Sequence, residues 1–401
     1  MQRKLEKALR CPIRAGGALM VLLTAASAAL AQTAAPDPAR LWQAYASRYI
    51  SGDGRVVDPQ GGDRTTSEGQ SYALFFALVN NDRGRFDQLL RWTTNNMAQG
   101  DLGEHLPAWS WGKAKDGHWG VLDQNSASDS DLWIAYDLVE AGRLWSDHDY
   151  TSLGRRLADL IGRKETASLP GLGEVLLPGP VGFHLQHLWV LNPSYSPLFL
   201  LERLAEVSPA GPWAGLAKDW PTIQGQSARN GFAMDWVCYG PDQGFSPCLA
   251  NGAKAATGKS PGPMGSYDAI RVYLWTGMLA DSVPAKAQMM HALAGMNEYM
   301  QQHSAPPEKI NASGVPMNQD GPVGFSAALL PYLASFSNEG SVAQQLVRIQ
   351  SQLDEKSNLY GAGYGGSPAY YDQNLVLFGI GWYSKQFQFG RGGELLVRWG
   401  H

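Results

Sequence analysis

Ser-Glu-Gly-Gln-Ser-Tyr-Ala-Leu-Phe-Phe-Ala-Leu-Val-Asn, Ser67 to Asn80, reads as a helix with no polar face beyond its first turn. A surface helix carries one apolar stripe, so a helix that is apolar on every side must be enclosed by others. Five more segments share this character: Ser128 to Glu140, Tyr195 to Ala205, Tyr267 to Leu279, Gly321 to Ser335 and Tyr371 to Tyr383. Between and around them lie six segments with one apolar stripe and one polar face: Pro38 to Ile50, Gly84 to Met97, Tyr150 to Arg163, Trp213 to Trp220, Pro284 to Gln302 and Ser341 to Leu353. Alternation of six enclosed and six amphipathic helices predicts an all-α fold, an (α/α)6 barrel with six inner and six outer helices. No Pro/Ser-rich linker or charge block divides the chain, so residues 32–401 are expected to form a single domain. The longest stretch without a helical pattern, Gly231 to Gly265, contains two cysteines and is rich in Gly, Pro and aromatic residues.

The 401-residue chain begins with five basic residues (Arg3, Lys4, Lys7, Arg10, Arg14), then an apolar run from Ala15 to Leu30 ending in Ala29-Leu30-Ala31. Residues 1–31 therefore read as a secretory signal, removed on export to a periplasmic or secreted location. The remaining chain carries a net charge of about −8, which disfavours nucleic acid and other polyanions. No second apolar run reaches the roughly 18 residues needed to span a bilayer, so no membrane insertion is expected after cleavage. Cys238 and Cys248, ten residues apart in an oxidising compartment, are expected to form a small-loop disulfide. The eight histidines show no spaced ligand set and two cysteines do not complete one, so neither metal nor cofactor is expected. A monomer is the expected state.

Three enclosed helices begin with an acid in the first turn. Ser67-Glu68-Gly69-Gln70 reads as a capping box with Ser67 at the N-cap, and Ser128-Asp129 and Ser266-Tyr267-Asp268 repeat the pattern. Each acid alone is explained by the helix dipole and capping. All three together, heading otherwise apolar helices beside aromatic and Gly residues, are not. If the inner helices run parallel, Glu68, Asp129 and Asp268 meet at one mouth of the barrel. Arg271, three residues after Asp268, is placed to hold that carboxylate ionised.

Facing carboxyl groups across an aromatic-walled cleft are what cleavage of a glycosidic bond requires: one protonated to donate to the leaving oxygen, one ionised to act from the other face. Glu68 must then have a raised pKa, through desolvation or the charge of Asp129, against the pull of its helix start. Trp109, Trp111, Trp119, Tyr195, Tyr267 and the Tyr370-Tyr371-Asp372 run lie in connections lining the same mouth, where rings can stack on sugar faces. Trp109, Trp111, Tyr195, Tyr267, Arg271 and Tyr371 are the candidate substrate contacts.

At these residues the sequence resembles glycoside hydrolase family 8. The family signature, Ala-[Ser/Thr]-Asp-[Ala/Gly]-Asp with Ile-Ala following, appears as Ala127-Ser128-Asp129-Ser130-Asp131-Leu132-Trp133-Ile134-Ala135; Ser130 and Asp137 depart from the usual small residues. Thr66-Ser67-Glu68-Gly69-Gln70-Ser71-Tyr72 resembles the family's general-acid motif, and Ser266-Tyr267-Asp268-Ala269-Ile270-Arg271 its general-base motif. Leu106 to Trp109, Asn192 to Tyr195, Gly321 to Ser326 and Tyr370 to Leu375 continue the likeness over nearly the whole exported chain. The resemblance implies an (α/α)6 barrel, a periplasmic location beside bacterial cellulose synthesis and export, and hydrolysis of internal β-1,4-glucosidic bonds with inversion. It makes Glu68 the proton donor, Asp268 the activator of water and Asp129 the residue that holds the sugar at the cleavage point. The expected partners are a β-1,4-glucan chain and a cellulose synthase or export complex.

Other readings stay open. A glycan-binding subunit of an exporter would be free to lose both carboxylates, which are present. A polysaccharide lyase favours a basic cleft, against the negative charge of this chain. Within the family, chitosan, xylan and mixed-linkage glucan remain alternative substrates.

Overall fold

The first enclosed segment starts as a helix because Thr66, in an extended conformation, accepts a hydrogen bond from Gly69 N at 3.1 Å. The expected capping box is thus corrected by one residue, and Gln70 does not reach back to close it. Its amide instead accepts from Val56 N at 2.6 Å and donates to Thr93 Oγ1 at 2.8 Å, so a tertiary tie replaces a local one. Of the helix Ser67–Val79, only Glu68 is not buried.

The computed structural model describes residues 37–253, 262–361 and 368–399. The predicted signal, residues 1–31, lies outside them. Thirteen α-helices are described: α1 (Pro38–Tyr49), α2 (Ser67–Val79), α3 (Arg83–Met97), α4 (Ser128–Leu144), α5 (His148–Lys164), α6 (Leu198–Val207), α7 (Trp213–Ser227), α8 (Ala269–Met278), α9 (Lys286–Ala292), α10 (Ala294–Met300), α11 (Val323–Ser335), α12 (Glu339–Ser351) and α13 (Tyr370–Tyr383). The fold is mostly α-helical. α2, α4, α8, α11 and α13 are buried over most of their circumference, whereas α1, α3, α5 and α12 bury one stripe, as in Leu41, Trp42, Tyr45 and Tyr49 of α1.

Enclosed helices pack on one another, α2 on α4, α4 on α6, α8 on α11 and α11 on α13, and a 3-10 turn at Pro193–Tyr195 packs on both α4 and α8. Their facing side chains form an aromatic core. Phe378 of α13 lies 5.0 Å from Tyr72 and 5.2 Å from Phe75 of α2, and 5.0 Å from Trp275 of α8. Trp133 of α4 lies 5.3 Å from Trp275 and 5.8 Å from Phe199 of α6. Aromatic pairs of this kind add about 0.5–1.5 kcal/mol each beyond burial. The opposite end is closed by the hairpin Phe387–Phe389 with Leu395–Val397, whose Phe389 stacks 3.9 Å from Phe199. Buried Glu140 of α4 accepts from Leu395 N at 2.7 Å and from Arg203 Nε at 2.7 Å.

Three differences from the sequence reading have local causes. The segment Pro284 to Gln302 is two helices, because the Tyr332 hydroxyl donates to Leu293 O at 2.6 Å and accepts from Asn297 N at 3.2 Å, displacing the bond that would join these two groups. α7 runs on through Pro221, since Ile223, Gln224 and Ser227 beyond it are buried. The chain is also not purely helical. Short antiparallel strands occupy the connections, in a three-stranded sheet (Thr65–Thr66, Ser110–Lys113, Trp119–Asp123) and a four-stranded one (His184–Leu185, Leu188–Leu191, Val237–Gly240, Gly244–Pro247). Backbone groups outside the helices find partners there.

Cys238 in the four-stranded sheet and Cys248 just past its last strand are disulfide-bonded, with Cα atoms 5.7 Å apart. With Val190 they form a small core against which Phe183, Leu188 and Trp236 pack. For a loop of ten residues the bond is worth about 2–3 kcal/mol. Replacing both cysteines by serine should lower unfolding stability by about that amount in denaturant titration. A midpoint unchanged by reduction of the wild-type protein would remove this brace.

Candidate active site

Arg271, on the first turn of α8 and 3% exposed, is the centre of the site. Its guanidinium reaches Glu68 Oε2 at 3.2 Å, Asp268 Oδ1 at 3.0 Å and Asp129 Oδ2 at 3.7 Å. It also donates to Tyr371 Oη and Ser194 Oγ, both at 3.0 Å. The three predicted acids thus meet at one point, from helix starts far apart in sequence. Glu68 and Asp268 touch terminal nitrogens of the same guanidinium, so their nearest oxygens lie at most roughly 8.5 Å apart, given standard C–N bond lengths.

Each acid is presented differently. Glu68 projects from α2 where Gly69 leaves space for the Tyr370 hydroxyl, which any Cβ there would strike. Asp129 is buried, and its Oδ1 accepts from Ser130 N at 2.7 Å and Ser130 Oγ at 3.2 Å. Asp268 stands at the N-cap of α8 without capping it. That role falls to Asp235, which accepts from Ser266 N at 2.6 Å, Ser266 Oγ at 2.5 Å and Ala269 N at 2.8 Å. Asp268 is thereby free to point at Arg271 while its helix start is satisfied from another segment.

The electrostatics follow from burial and shared charge. Desolvation pushes Glu68 up to about 7; Arg271 opposes the shift, and the charges of Asp129 and Asp268 add to it. The expected helper, Asp129, therefore acts in the expected direction but ranks behind burial. Asp129 itself is raised by burial, with Arg271 and its Ser130 bonds pulling the other way. Asp235 is pushed up to about 6 by burial and then by Asp268. Arg271 serves all three acids of the centre rather than Asp268 alone.

The aromatic candidates divide. The Tyr371 hydroxyl donates to Tyr267 O at 2.7 Å, the two rings lie 6.0 Å apart, and Tyr267 Oη donates to Glu308 at 3.2 Å. Both rings border an open cavity of about 470 Å³ whose wall includes Asp58, Arg64, Glu308 and Asp372. Tyr195 follows Ser194 in the 3-10 turn and stands 5.9 Å from Trp236, on the side braced by the disulfide. Trp109 is a backbone strut: its O accepts from Ser67 N at 3.0 Å and its N donates to Asn125 O at 2.8 Å, joining the starts of α2 and α4. Trp111 stacks 5.4 Å from Trp119, with the Arg55 guanidinium 4.8 Å from each ring.

Sequence reading missed Asp235, Ser194, Trp236 and Arg64. Asn192, already visible ahead of Pro193, accepts from Ser194 Oγ at 2.7 Å and so aims it at Arg271. Asp235 and Trp236 sit in a connection without periodicity, where nothing local marks their partners.

The family model for glycosyl hydrolases family 8 matches residues 12–385. An endoglucanase of Escherichia coli O157:H7 is 43% identical over 389 residues, covering 97% of this chain and 97% of that protein. An endoglucanase of Xanthomonas axonopodis pv. citri is 42% identical over 374 residues, covering 93% and 92%. The crystal structure of an endo-1,4-D-glucanase from Vibrio fischeri ES114 superposes with a TM-score of 0.80 at 43% identity, covering 90% of this chain and 99% of that one.

Replacing Arg271 by Met leaves three buried or half-buried acids without their cation. Stability at pH 7 should fall by about 3–5 kcal/mol. The loss should shrink at pH 4, where Glu68 and Asp129, both raised by burial, take up protons. A loss independent of pH in denaturant titrations would show that Arg271 acts by packing alone.

Proposed function

The chain belongs to glycosyl hydrolase family 8, and from that premise we propose that it is an inverting endo-1,4-β-glucanase acting on cellulose, with Glu68 as general acid, Asp268 as general base and Asp129 holding the sugar between them. The observation that carries this reading is the pair of acids on Arg271, one of which, Glu68, is pushed up to about 7 by burial. An acid in that range holds its proton near neutrality and yields it to a leaving oxygen. Asp268, with 27% of its side chain exposed and a cation at 3.0 Å, is suited to take a proton from water. Inverting enzymes separate the two groups by about 6.5–9.5 Å to admit that water, and retaining ones by about 5–5.5 Å. The ceiling of roughly 8.5 Å set by the shared guanidinium admits either spacing, and inversion is the reading favoured by the family's motifs.

Tyr267 and Tyr371 on one side, and Tyr195 with Trp236 on the other, supply rings for sugars flanking the cut. The reading extends to the architecture, an (α/α)6 barrel of six inner and six outer helices forming one domain over residues 32–401. Its support is the alternation of enclosed and striped helices and the aromatic contacts joining α13 to α2. It extends also to location. A basic then apolar leader and a disulfide are consistent with export to the periplasm, where the resemblance of its motifs suggests a role beside cellulose synthesis.

Glu68→Gln and Asp268→Asn should each lower kcat on cellopentaose by about a hundredfold or more while leaving the fold intact. Activity retained in either variant would overturn the assignment. In the wild type, kcat/KM should fall as pH rises through about 7, where Glu68 of the free enzyme loses its proton. Asp129→Asn removes a negative charge that raises Glu68, so this limb should move to lower pH. Incubation with cellopentaose, xylan and chitosan in parallel, with the product anomer read by NMR, decides both substrate and stereochemistry.

A further inference from the structure

Asp131, the second acid of the Ala127-Ser128-Asp129-Ser130-Asp131 run, takes no part in the Arg271 cluster. It is 0% exposed in the first turn of α4, where its carboxyl lies against the Ser126 hydroxyl. Its partner is a second fully buried acid, Glu165, the residue that ends α5; the two are hydrogen-bonded side chain to side chain. Glu165 Oε1 accepts from Ser126 Oγ at 2.5 Å, so one hydroxyl lies between the two carboxyl groups. Among the described residues no cation forms an ion pair with either acid, and Asp129 adds a further negative charge beside them.

Two ionised carboxylates have no hydrogen to share, so a bond between them exists only while one carries a proton. We propose that Asp131 and Glu165 are positioning residues that share a proton and thereby hold Asp129 and the start of α4 in place for the reaction. The bond ties together three stretches: the approach to α4 through Ser126, the first turn of α4 through Asp131, and the end of α5 through Glu165. Asp129 lies between the first two. The same region is anchored on its other sides by backbone bonds, Trp109 N to Asn125 O at 2.8 Å, Ser128 N to Pro178 O at 3.0 Å and Leu177 N to Glu165 O at 2.7 Å. Removal of the shared proton would place two uncompensated negative charges in a dry space beside Asp129, and the segment would relax by separating them.

Burial supports the assignment of the proton. It raises Asp131 well above the ordinary carboxyl range, reinforced by the charges of Glu165 and Asp129, and it pushes Glu165 up to about 8. Proton binding by this pair in the folded state exceeds that of the unfolded chain between the ordinary carboxyl range and about pH 8. Stability contributed by the pair therefore declines as pH rises through that interval.

The test has one arm that does not depend on the proposed function and one that rests on it. In infrared spectra of the full exported chain at pH 6, a protonated-carboxyl band should be present in the wild type and diminished in both Asp131→Asn and Glu165→Gln. A band of equal intensity in all three would overturn the proposal. In the kinetic arm, Glu165→Ala should lower kcat on cellopentaose about tenfold or more, with KM changed by less than about twofold, and Glu165→Gln, which retains a neutral hydrogen-bonding group, should restore most of it. No rescue by Gln, or a KM that rises in step with the fall in kcat, would overturn the positioning role. If the wild type cleaves no β-glucan, the functional reading fails and the infrared arm still decides whether the proton is shared.

Discussion

One buried guanidinium sets the conditions for the rest of the centre. Arg271 meets Glu68, Asp129 and Asp268 within 3.7 Å, so three negative groups are gathered around a single positive one. The imbalance is useful chemically. A cation for every acid would keep all three ionised, and no cation would drive them apart or neutralise them. With one shared among three, burial prevails at Glu68, which is held near neutrality in its protonated form. Arg suits this position better than Lys, because a planar fork addresses several partners at once and stays charged when desolvated.

Such a cluster needs a rigid support, which the aromatic core beneath it supplies. Tyr72, Trp133 and Trp275 come from the same helices that carry Glu68, Asp129 and Arg271, and their rings lie 5.3 to 6.3 Å apart. A side chain at the mouth is thereby held in register by rings one or two turns below it. Interiors packed to crystal-like density transmit small shifts rather than absorbing them. Asp235 completes the support from a different direction, satisfying the helix start so that Asp268 need not.

Much of this was legible in the chain itself. Enclosed and striped helices are distinguished by whether their polar residues share one face, and the boundaries of α2, α4, α11 and α13 lie within a few residues of that reading. Acids at the head of apolar segments pointed to Glu68, Asp129 and Asp268. What stayed hidden depends on partners distant in sequence. Ser67 resembles a cap but Thr66 performs the role, and Tyr332 divides a helix thirty-odd residues away. Asp131 and Glu165 are each unremarkable as letters. Only their meeting without a counter-ion makes them unusual.

The hairpin at Phe387–Phe389 and Leu395–Val397 plugs the end of the molecule opposite the acids and is the last structure along the described chain. It stacks Phe389 on Phe199 and satisfies Glu140 through the Leu395 amide. Synthesis therefore delivers the stopper after everything it seals. Until residues 387–397 emerge, Glu140 lacks one of its donors and the aromatic floor stays open to water, so a polypeptide terminated before them would expose an unfinished interior to proteases and chaperones.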